Sequence, residues 1–332
     1  MISSYQIDMW TTIGHKWAVD YLRGTIQSQH ISHAYLFTGP AHIGKTHLAK
    51  EMAAALNCQG DTPPCGTCSA CHKTRRGTHP DVTTVEPEGN RLKIDQVREL
   101  QHTLSLSPVE GRWRVCIITD FQTATTQAAN ALLKTLEEPP SRVVLLLTAT
   151  DADLLLPTIV SRCQLLALRT VPLARIEEVL RERLDGEEER AKLIARLSGG
   201  KVGWALSAIK KEDILEERRQ HIETLLELLA QGRAARIKAA EQLSKASDLK
   251  EIIKLWQGWW RDILLVSSDC EDMVVNIDFL DSLQRTAEQY PFAEAEEAVR
   301  DLEATLERLD RNVNSRLAME VLFLGWHQIA PN

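Results

Sequence analysis

The chain contains a glycine-rich loop whose spacing is suited to binding phosphate. It consists of Gly39, Pro40, Ala41, His42, Ile43, Gly44, Lys45 and Thr46, directly after an apolar run that predicts a strand. The glycines let backbone N–H groups turn toward phosphate oxygens, and the helix predicted after the loop points its positive end at them. The lysine of this motif reaches the β- and γ-phosphates, and the threonine hydroxyl binds Mg²⁺. The flanking pattern favours this interpretation over a chance glycine turn, so ATP or ADP with Mg²⁺ are candidate ligands.

Four cysteines follow the loop at a spacing typical of a zinc site. They are Cys58, Cys65, Cys68 and Cys71. Two overlapping C-x-x-C steps place three sulfurs within reach of one ion, and Cys58 completes the tetrahedral thiolate shell that Zn²⁺ prefers. The alternative is four ordinary reduced cysteines. Four thiolates leave no position for water, so the spacing predicts a structural site that folds the insertion around Gly60–Gly66.

The elements that must position these residues alternate between apolar strands and helices up to about residue 170. Strands are predicted over residues 82–85, 113–120 and 143–148, and helices over 13–27, 94–104 and 124–137. This alternation predicts an α/β fold, a parallel sheet with helices on both faces. The first helix is expected to use Trp17, Tyr21, Leu22 and Ile26 as one apolar face. Beyond residue 171 the pattern predicts helices alone, and we interpret the stripe Trp256, Trp259, Trp260 and Ile263 as core or subunit contact.

Length and charge limit the possible functions. At 332 residues the chain should form two or three domains, and 44% apolar with 26% charged residues is typical of soluble globular proteins. Residues 1–170 carry 16 basic and 15 acidic side chains, whereas residues 171–332 carry 23 and 31. The acidic second half argues against a broad duplex-binding surface there. Without a signal sequence or a long apolar run, we expect a cytoplasmic protein with no membrane partner.

Several further motifs resemble the bacterial clamp-loader subunits of DNA polymerase III, which are AAA+ proteins, and most closely their delta-prime branch. The most family-specific are the run Asn130–Pro139 and the triplet Ser161-Arg162-Cys163, and the resemblance covers nearly the whole chain. It implies an AAA+ domain at residues 1–170 with the zinc module at 58–71, a helical lid at 171–209, and a helical collar at 210–332. It also implies tau/gamma and delta subunits as partners in a five-subunit ring, which meets the sliding clamp and primed DNA as an assembled complex.

The chain departs from the motor subunits of that family, tau and gamma, at catalytic positions. Motors end one strand with an Asp-Glu pair; counting back from the Asn130 run puts Thr119 at the metal-binding position and Asp120 at the water-orienting one. If Asp120 binds the metal instead, Phe121 follows it and cannot orient water. A lid arginine of the motors is replaced by glycine, which Lys201 could partly compensate. The resemblance therefore implies nucleotide binding without appreciable hydrolysis.

Together these residues predict a stator, a non-catalytic subunit of the polymerase complex. In this interpretation Arg162 acts as an arginine finger on the ATP of a neighbouring subunit; the alternative for this residue is a structural arginine paired with an acidic side chain. The alternative for the protein is a catalytic motor subunit of the tau/gamma type. A third interpretation, a zinc-dependent nucleic-acid-binding module, is disfavoured by the acidic pI of about 5.9.

Overall fold

The computed structural model describes residues 10–211, 213–311 and 313–329, and the chain divides into two compact units. The first comprises residues 1–179 and 198–205, and the second comprises residues 180–197 and 206–332. Part of the predicted lid thus belongs to each unit. The division into three domains at residues 170 and 209 stays a prediction.

A five-stranded parallel sheet forms the centre of the first unit. Its strands are β1 (Ala34–Thr38), β2 (Val82–Val85), β3 (Arg114–Ile118), β4 (Val143–Ala149) and β5 (Gln164–Ala167), in the spatial order β2-β3-β4-β1-β5. Every residue of β1, β3 and β4 is buried. Strands buried on both faces are read from sequence as continuous apolar runs, which is why these three were predictable.

Helices cover both faces of the sheet, as predicted. They are α1 (Lys16–Gln27), α2 (Lys45–Leu56), α3 (Ser69–Arg76), α4 (Ile94–Leu104), α5 (Thr126–Glu137) and α6 (Pro157–Val160). Alternate residues of β1 enter opposite cores: Tyr35 and Phe37 pack with α1 and α2, while Ala34 and Leu36 pack with α4 and α5. This arrangement confirms the predicted α/β fold class and places the loop after β1 at the carboxyl edge of the sheet.

The remaining helices continue to the C-terminal end of the described chain. They are α7 (Leu173–Arg183), α8 (Glu188–Ser198), α9 (Val202–Lys210), α10 (Asp213–Ala230), α11 (Arg233–Leu243), α12 (Leu249–Val266), α13 (Leu280–Gln289), α14 (Phe292–Asp310) and α15 (Ser315–Gly325). The tryptophan stripe of α12 is fully buried in the core of the second unit. Of the two interpretations left open by the sequence, the core is the one observed. No helix in the described ranges is long and apolar enough to cross a membrane.

The first unit differs from the sequence analysis in two details: one expectation was wrong, and one strand was missed. Trp17 and Tyr21 are 52% and 41% exposed, because α1 packs through the smaller Ala18 and Val19 together with Leu22. Strand β5 was not predicted, because it is an edge strand in which Leu166 alone is buried and its apolar run is correspondingly short.

Candidate functional site

The phosphate loop has the backbone geometry that its glycines predict. Gly39 and Gly44 have φ of 140° and 107°, and His42 between them also has a positive φ of 61°. A Cβ atom on Gly39 would lie 2.3 Å from the carbonyl oxygen of Leu168, so that position requires glycine. Helix α2 begins at Lys45, directly after the loop, and directs its N-terminal end at the loop. The backbone is therefore arranged to bind an anion.

Lys45 is buried within the loop that it would serve. Its ammonium group donates to the carbonyl oxygens of Gly39 and Pro40 at 2.7 and 2.8 Å. Burial lowers the pKa of Lys45, and the nearby carboxylate of Asp120 opposes that shift. The lysine is thus held over the loop by neutral carbonyl groups, which a phosphate group can replace at a gain in electrostatic energy.

The positions expected to bind a metal ion meet Thr46 in one cleft of about 570 Å³. Thr119 and Asp120, at the end of β3, line this cleft with Thr46, and Glu86 lines it from the end of β2. Thr119 is buried, with its hydroxyl 3.5 Å from the carbonyl oxygen of Val85, whereas Asp120 is exposed and has φ 47°. The sequence analysis did not identify Glu86, since a surface glutamate after a short strand has no distinguishing pattern.

Thr148 on β4 is a further residue that the sequence analysis missed. It lies between β1 and β3 near their carboxyl ends, and its hydroxyl accepts a hydrogen bond from the backbone N–H of Asp120 at 3.1 Å. Gln122 extends this network, because its side chain bonds both the carboxylate of Asp120 and the N–H of Thr150. The polar groups at the strand ends therefore fix the turn that presents Asp120.

A glycine of the segment that the sequence analysis compared with the lid of the motors contacts the loop directly. Gly203, in the first turn of α9, donates its N–H to the carbonyl oxygen of His42 at 2.7 Å. A Cβ atom on Gly203 would lie 2.7 Å from the same oxygen, closer than side chains ordinarily approach backbone. An arginine at this position would require the loop or the helix to shift. Lys201, two residues earlier, is exposed.

A second cleft, of about 410 Å³, lies next to the loop and was not predicted. Gly14, His15, Trp17 and Arg169 are among its lining residues. His15 is buried, with its Nε2 atom 3.2 Å from the carbonyl oxygen of Ile43, and burial lowers its pKa. Chain segments 28 residues apart thus meet beside the loop, which no local sequence pattern could indicate.

The four cysteines form one cluster. Their sulfur atoms lie within 4.8 Å of one another, with Cys58 and Cys71 buried and Cys65 and Cys68 partly exposed. Tetrahedral zinc with bonds of about 2.3 Å would need sulfurs about 3.8 Å apart, so a small contraction of the cluster is sufficient. The donor set and its arrangement fit a structural zinc ion.

Backbone N–H groups point at these sulfurs, as expected for thiolates. Cys58 accepts from the N–H groups of Gly60 and Cys65, and Cys65 accepts from that of Cys68, each at 3.3 Å. Burial alone would raise the pKa of Cys65, but hydrogen bonds from Thr67 and Cys68 outweigh it and lower that pKa to about 6. Hydrogen bonds thus favour the thiolate form of Cys65 and Cys68, whereas burial raises the pKa of Cys58 and Cys71.

The first testable prediction is that the purified protein retains one Zn²⁺ per chain. Four thiolates enclose the ion, so it should survive reducing purification and be released only by strong chelators or thiol-modifying reagents. Inductively coupled plasma mass spectrometry gives the ratio. Cys65→Ser should lose most of the metal, whereas Cys270→Ser, outside the cluster, should retain it. Substantially less than one zinc in the wild-type chain would contradict the assignment.

Comparisons with known proteins agree with this architecture. The family model described as "DNA polymerase III, delta subunit" matches residues 14–172, and the model of its C-terminal part matches residues 212–328. The delta-prime subunit of DNA polymerase III from Bacillus subtilis is 30% identical over 91% of this chain and 93% of its own length. The chain belongs to the DNA polymerase III delta-prime family. This membership confirms the predicted family and the AAA+ class of the sheet domain.

Related subunits match over shorter stretches of this delta-prime family member. The Pseudomonas aeruginosa delta-prime subunit is 36% identical over 70% of the chain and 69% of its own length. The Escherichia coli tau subunit is 36% identical over 59% of the chain but only 31% of its own length. The similarity to tau is thus limited to part of that larger protein, whereas the Bacillus delta-prime match extends over nearly the whole of both chains.

Arg162 lies at the amino-terminal ends of the sheet strands, whereas the phosphate loop lies at their carboxyl-terminal ends. It precedes β5, which pairs in parallel with β1 so that Gln164 is opposite Tyr35, four residues before Gly39. At a rise of about 3.3 Å per residue, this places Arg162 about 13 Å or more from its own loop along the strand direction. The Arg162 side chain is 34% exposed and pairs with Glu137 at 2.9 Å. It also donates to the carbonyl oxygen of Thr158 at 2.8 Å.

Proposed function

We propose that this delta-prime family member is a stator of the DNA polymerase III clamp loader, which helps to place the sliding clamp on primed DNA during replication. In this role the chain completes the ATP site of a neighbouring subunit and hydrolyses little or no ATP itself. Its partners would be tau/gamma and delta subunits in a five-subunit ring, with clamp and DNA bound by the assembled complex. Family membership is the observation that carries the proposal.

The geometry of the loop supports nucleotide binding. The loop backbone and the position of Lys45 suit a phosphate, and Thr46 lines a cleft together with Asp120. The cleft beside His15 offers space for the remainder of a nucleotide. Binding of ATP or ADP with Mg²⁺ is therefore part of the proposal. The four-cysteine cluster would hold Zn²⁺ as a structural ion.

Two features of the cleft argue against efficient turnover. In one alignment Thr119 takes the position of the motors' metal-binding carboxylate, and its hydroxyl faces the carbonyl oxygen of Val85. In the other, Asp120 binds the metal and Phe121 cannot orient water. The segment compared with the motors' lid offers glycine rather than arginine, and its Gly203 packs against the loop. Without that arginine the site lacks a positive charge on the γ-phosphate, which slows hydrolysis. The tau/gamma-type motor therefore remains the second candidate, favoured only by the intact loop.

The second testable prediction separates these two candidates on the isolated protein. ATP and ADP should bind in the presence of Mg²⁺, Lys45→Ala should weaken binding by about tenfold or more because it removes a charge-assisted contact, and steady-state hydrolysis should stay near background. Equilibrium binding with a fluorescent ADP analogue and a coupled ATPase assay supply both measurements. Lys238→Ala, an exposed lysine of α11 that lines neither cleft, serves as the control.

Turnover at the rate of a working motor, lost in Lys45→Ala, would reverse the assignment to the motor. Glu86 and Asp120 would then be the carboxylates to replace first, because both line the cleft beside Thr46. Absence of nucleotide binding would instead make the loop a structural turn. That result would leave the proposed action of Arg162 on a neighbour open to its own test.

A further inference from the structure

The cysteine insertion contributes no residue to the phosphate loop, but it contacts a second segment that packs against the loop. We call residues 10–15 the N-terminal strap; it precedes α1 in the first unit. The strap contacts the insertion at one end, helix α2 in its middle and the phosphate loop at the other end. Each contact involves a specific hydrogen bond or close packing.

The insertion holds the first residue of the strap. The Trp10 side chain is 7% exposed and packs in the core shared by α1, α2 and the sheet. Its indole N–H donates to the carbonyl oxygen of Pro63 at 3.3 Å, and Pro63 lies between Cys58 and Cys65. The conformation of the insertion therefore determines whether Trp10 has a partner for its N–H group.

Glu51 on α2 holds the middle of the strap. One carboxylate oxygen accepts from the backbone N–H and the hydroxyl of Thr11, and the other accepts from the hydroxyl of Thr12. Only 9% of Glu51 is exposed. Burial alone would raise its pKa, but hydrogen bonds from His47, Thr12 and Thr11 outweigh this effect and lower the pKa. The carboxylate thus stays ionised at neutral pH and makes charge-assisted bonds to the strap.

The end of the strap packs against the phosphate loop. His15 places Nε2 3.2 Å from the carbonyl oxygen of Ile43, and burial lowers its pKa, which keeps the ring neutral with Nε2 as the donor. Gly14 has φ 82°, and a Cβ atom there would lie 2.3 Å from a methyl group of Val171. The backbone path into His15 is therefore closely confined.

Helix α2 connects the same two sites by a second route. It begins at Lys45 in the loop and ends at Leu56, two residues before Cys58. The sulfur of Cys71 lies 4.0 Å from the carbonyl oxygen of Ala54 on this helix. A cavity of about 480 Å³ is lined jointly by the strap, α2 and the insertion. The three elements thus meet around one space.

We propose that the strap couples the zinc module to the nucleotide loop and that Glu51 is the positioning residue of this coupling. The inference rests on the zinc and nucleotide binding of the proposed function. Zinc folds the insertion, the insertion holds Trp10, Glu51 holds Thr11 and Thr12, and His15 then fixes the loop at Ile43. Because coupling free energies are reciprocal, bound nucleotide also strengthens the retention of zinc.

Zinc removal on the full-length protein tests the coupling. Amide hydrogen exchange is compared between the zinc-loaded chain and Cys65→Ser for peptides covering residues 10–15 and 39–46. Both should exchange about fivefold faster or more without zinc, whereas β3 should be unchanged. The Kd of the fluorescent ADP analogue with Mg²⁺ should rise by about the same factor.

Glu51→Gln isolates the strap from the metal. This variant retains the size of the side chain but loses its charge, so it should keep one zinc per chain while ADP affinity falls by about fivefold. The double variant Glu51→Gln/Cys65→Ser should bind ADP as tightly as the single variant with the lower affinity. The two effects should not add, because both changes act through the same segment. Glu99→Gln, the same substitution at an exposed glutamate of α4, should match the wild type.

The possible outcomes distinguish this inference from the proposed function. Unchanged exchange of residues 39–46 after zinc loss overturns the coupling, even if zinc and ADP both bind. Additive effects in the double variant overturn the role of Glu51. If the wild-type chain binds no ADP, nucleotide binding fails as part of the proposed function, and the exchange of residues 39–46 alone then decides the coupling.

Discussion

Arg162→Ala is expected to lower the DNA-stimulated ATPase rate of the assembled clamp loader by about tenfold or more at the one site that this residue serves. The side chain lies at the sheet edge away from its own loop, is partly exposed, and uses one Nη atom for Glu137 and the other for Thr158. A guanidinium group has five N–H donors, so further donors remain for a phosphate of a neighbouring subunit. ATPase assays of the reconstituted complex with primed DNA give the rate.

The pairing with Glu137 makes the structural alternative testable. An exposed ion pair contributes at most about 1 kcal/mol, so neither Arg162→Ala nor Glu137→Ala should change folding or zinc content appreciably. If pairing is the function of Arg162, both variants should behave alike. If Arg162 acts on a neighbour's phosphate, Arg162→Ala loses activity while Glu137→Ala retains most of it. Arg98→Ala, another exposed and ion-paired arginine, controls for loss of surface charge.

Wild-type hydrolysis and clamp loading by a complex that contains Arg162→Ala would disprove the finger. Failure of that variant to fold, measured by circular dichroism before assembly, would favour the structural interpretation. Retention of the subunit in the complex is checked by size-exclusion chromatography. A loss of activity counts only when the variant is present at the stoichiometry of the wild type.

Arg236→Met should destabilise the second unit by about 3 kcal/mol or more. Arg236 is 2% exposed, and its five N–H donors meet five backbone carbonyl oxygens near the ends of α10 and α15. The acceptors are Leu228, Leu229, Phe323, Trp326 and His327. Carbonyl groups at helix C-termini carry partial negative charge, so they stabilise the buried cation, although burial lowers the pKa of Arg236.

Methionine would fill much of the space but would leave buried carbonyl groups without donors. Domains are commonly stable by only about 5–15 kcal/mol, so a loss of this size should be plain in urea unfolding followed by tryptophan fluorescence. Amide exchange in α10 and α15 locates the effect. Arg236→Lys, with three donors, should have a stability between those of the wild type and Arg236→Met. Arg233→Met, at an exposed position of the same helix, should be as stable as the wild type. Equal stability of Arg236→Met and Arg233→Met would contradict this account.

Much of the chemistry could be predicted from sequence because it is local. The phosphate loop spans eight consecutive residues and the cysteines lie within 14 positions, so their spacing alone determines which groups can meet. The buried strands β1, β3 and β4 were predictable for a similar reason, since burial on both faces requires a continuous apolar run. The edge strand β5 requires no such run and was missed.

Hydrogen bonds between buried carboxylates and chain segments far away in sequence could not be predicted. Asp81 is fully buried and accepts hydrogen bonds from the N–H groups of Val109, Glu110 and Gly111, which lie 28 to 30 residues away in sequence. Likewise, Glu51 on α2 accepts hydrogen bonds from Thr11 and Thr12, which lie 40 and 39 residues before it. A charged side chain has the same sequence signature whether it faces water or a set of donors folded against it.

The sequence by itself determined the family, the phosphate loop, the cysteine cluster and the parallel sheet of this protein. Tertiary structure decided which apolar residues become core, as Trp17 faces outward while Trp256 is enclosed. It also decided that Gly203 lies against the loop at His42 and that Glu51 binds the strap at Thr11 and Thr12. Sequence patterns report on residues that are close along the chain. These contacts join segments far apart in sequence, which only the packing of helices on the sheet brings together.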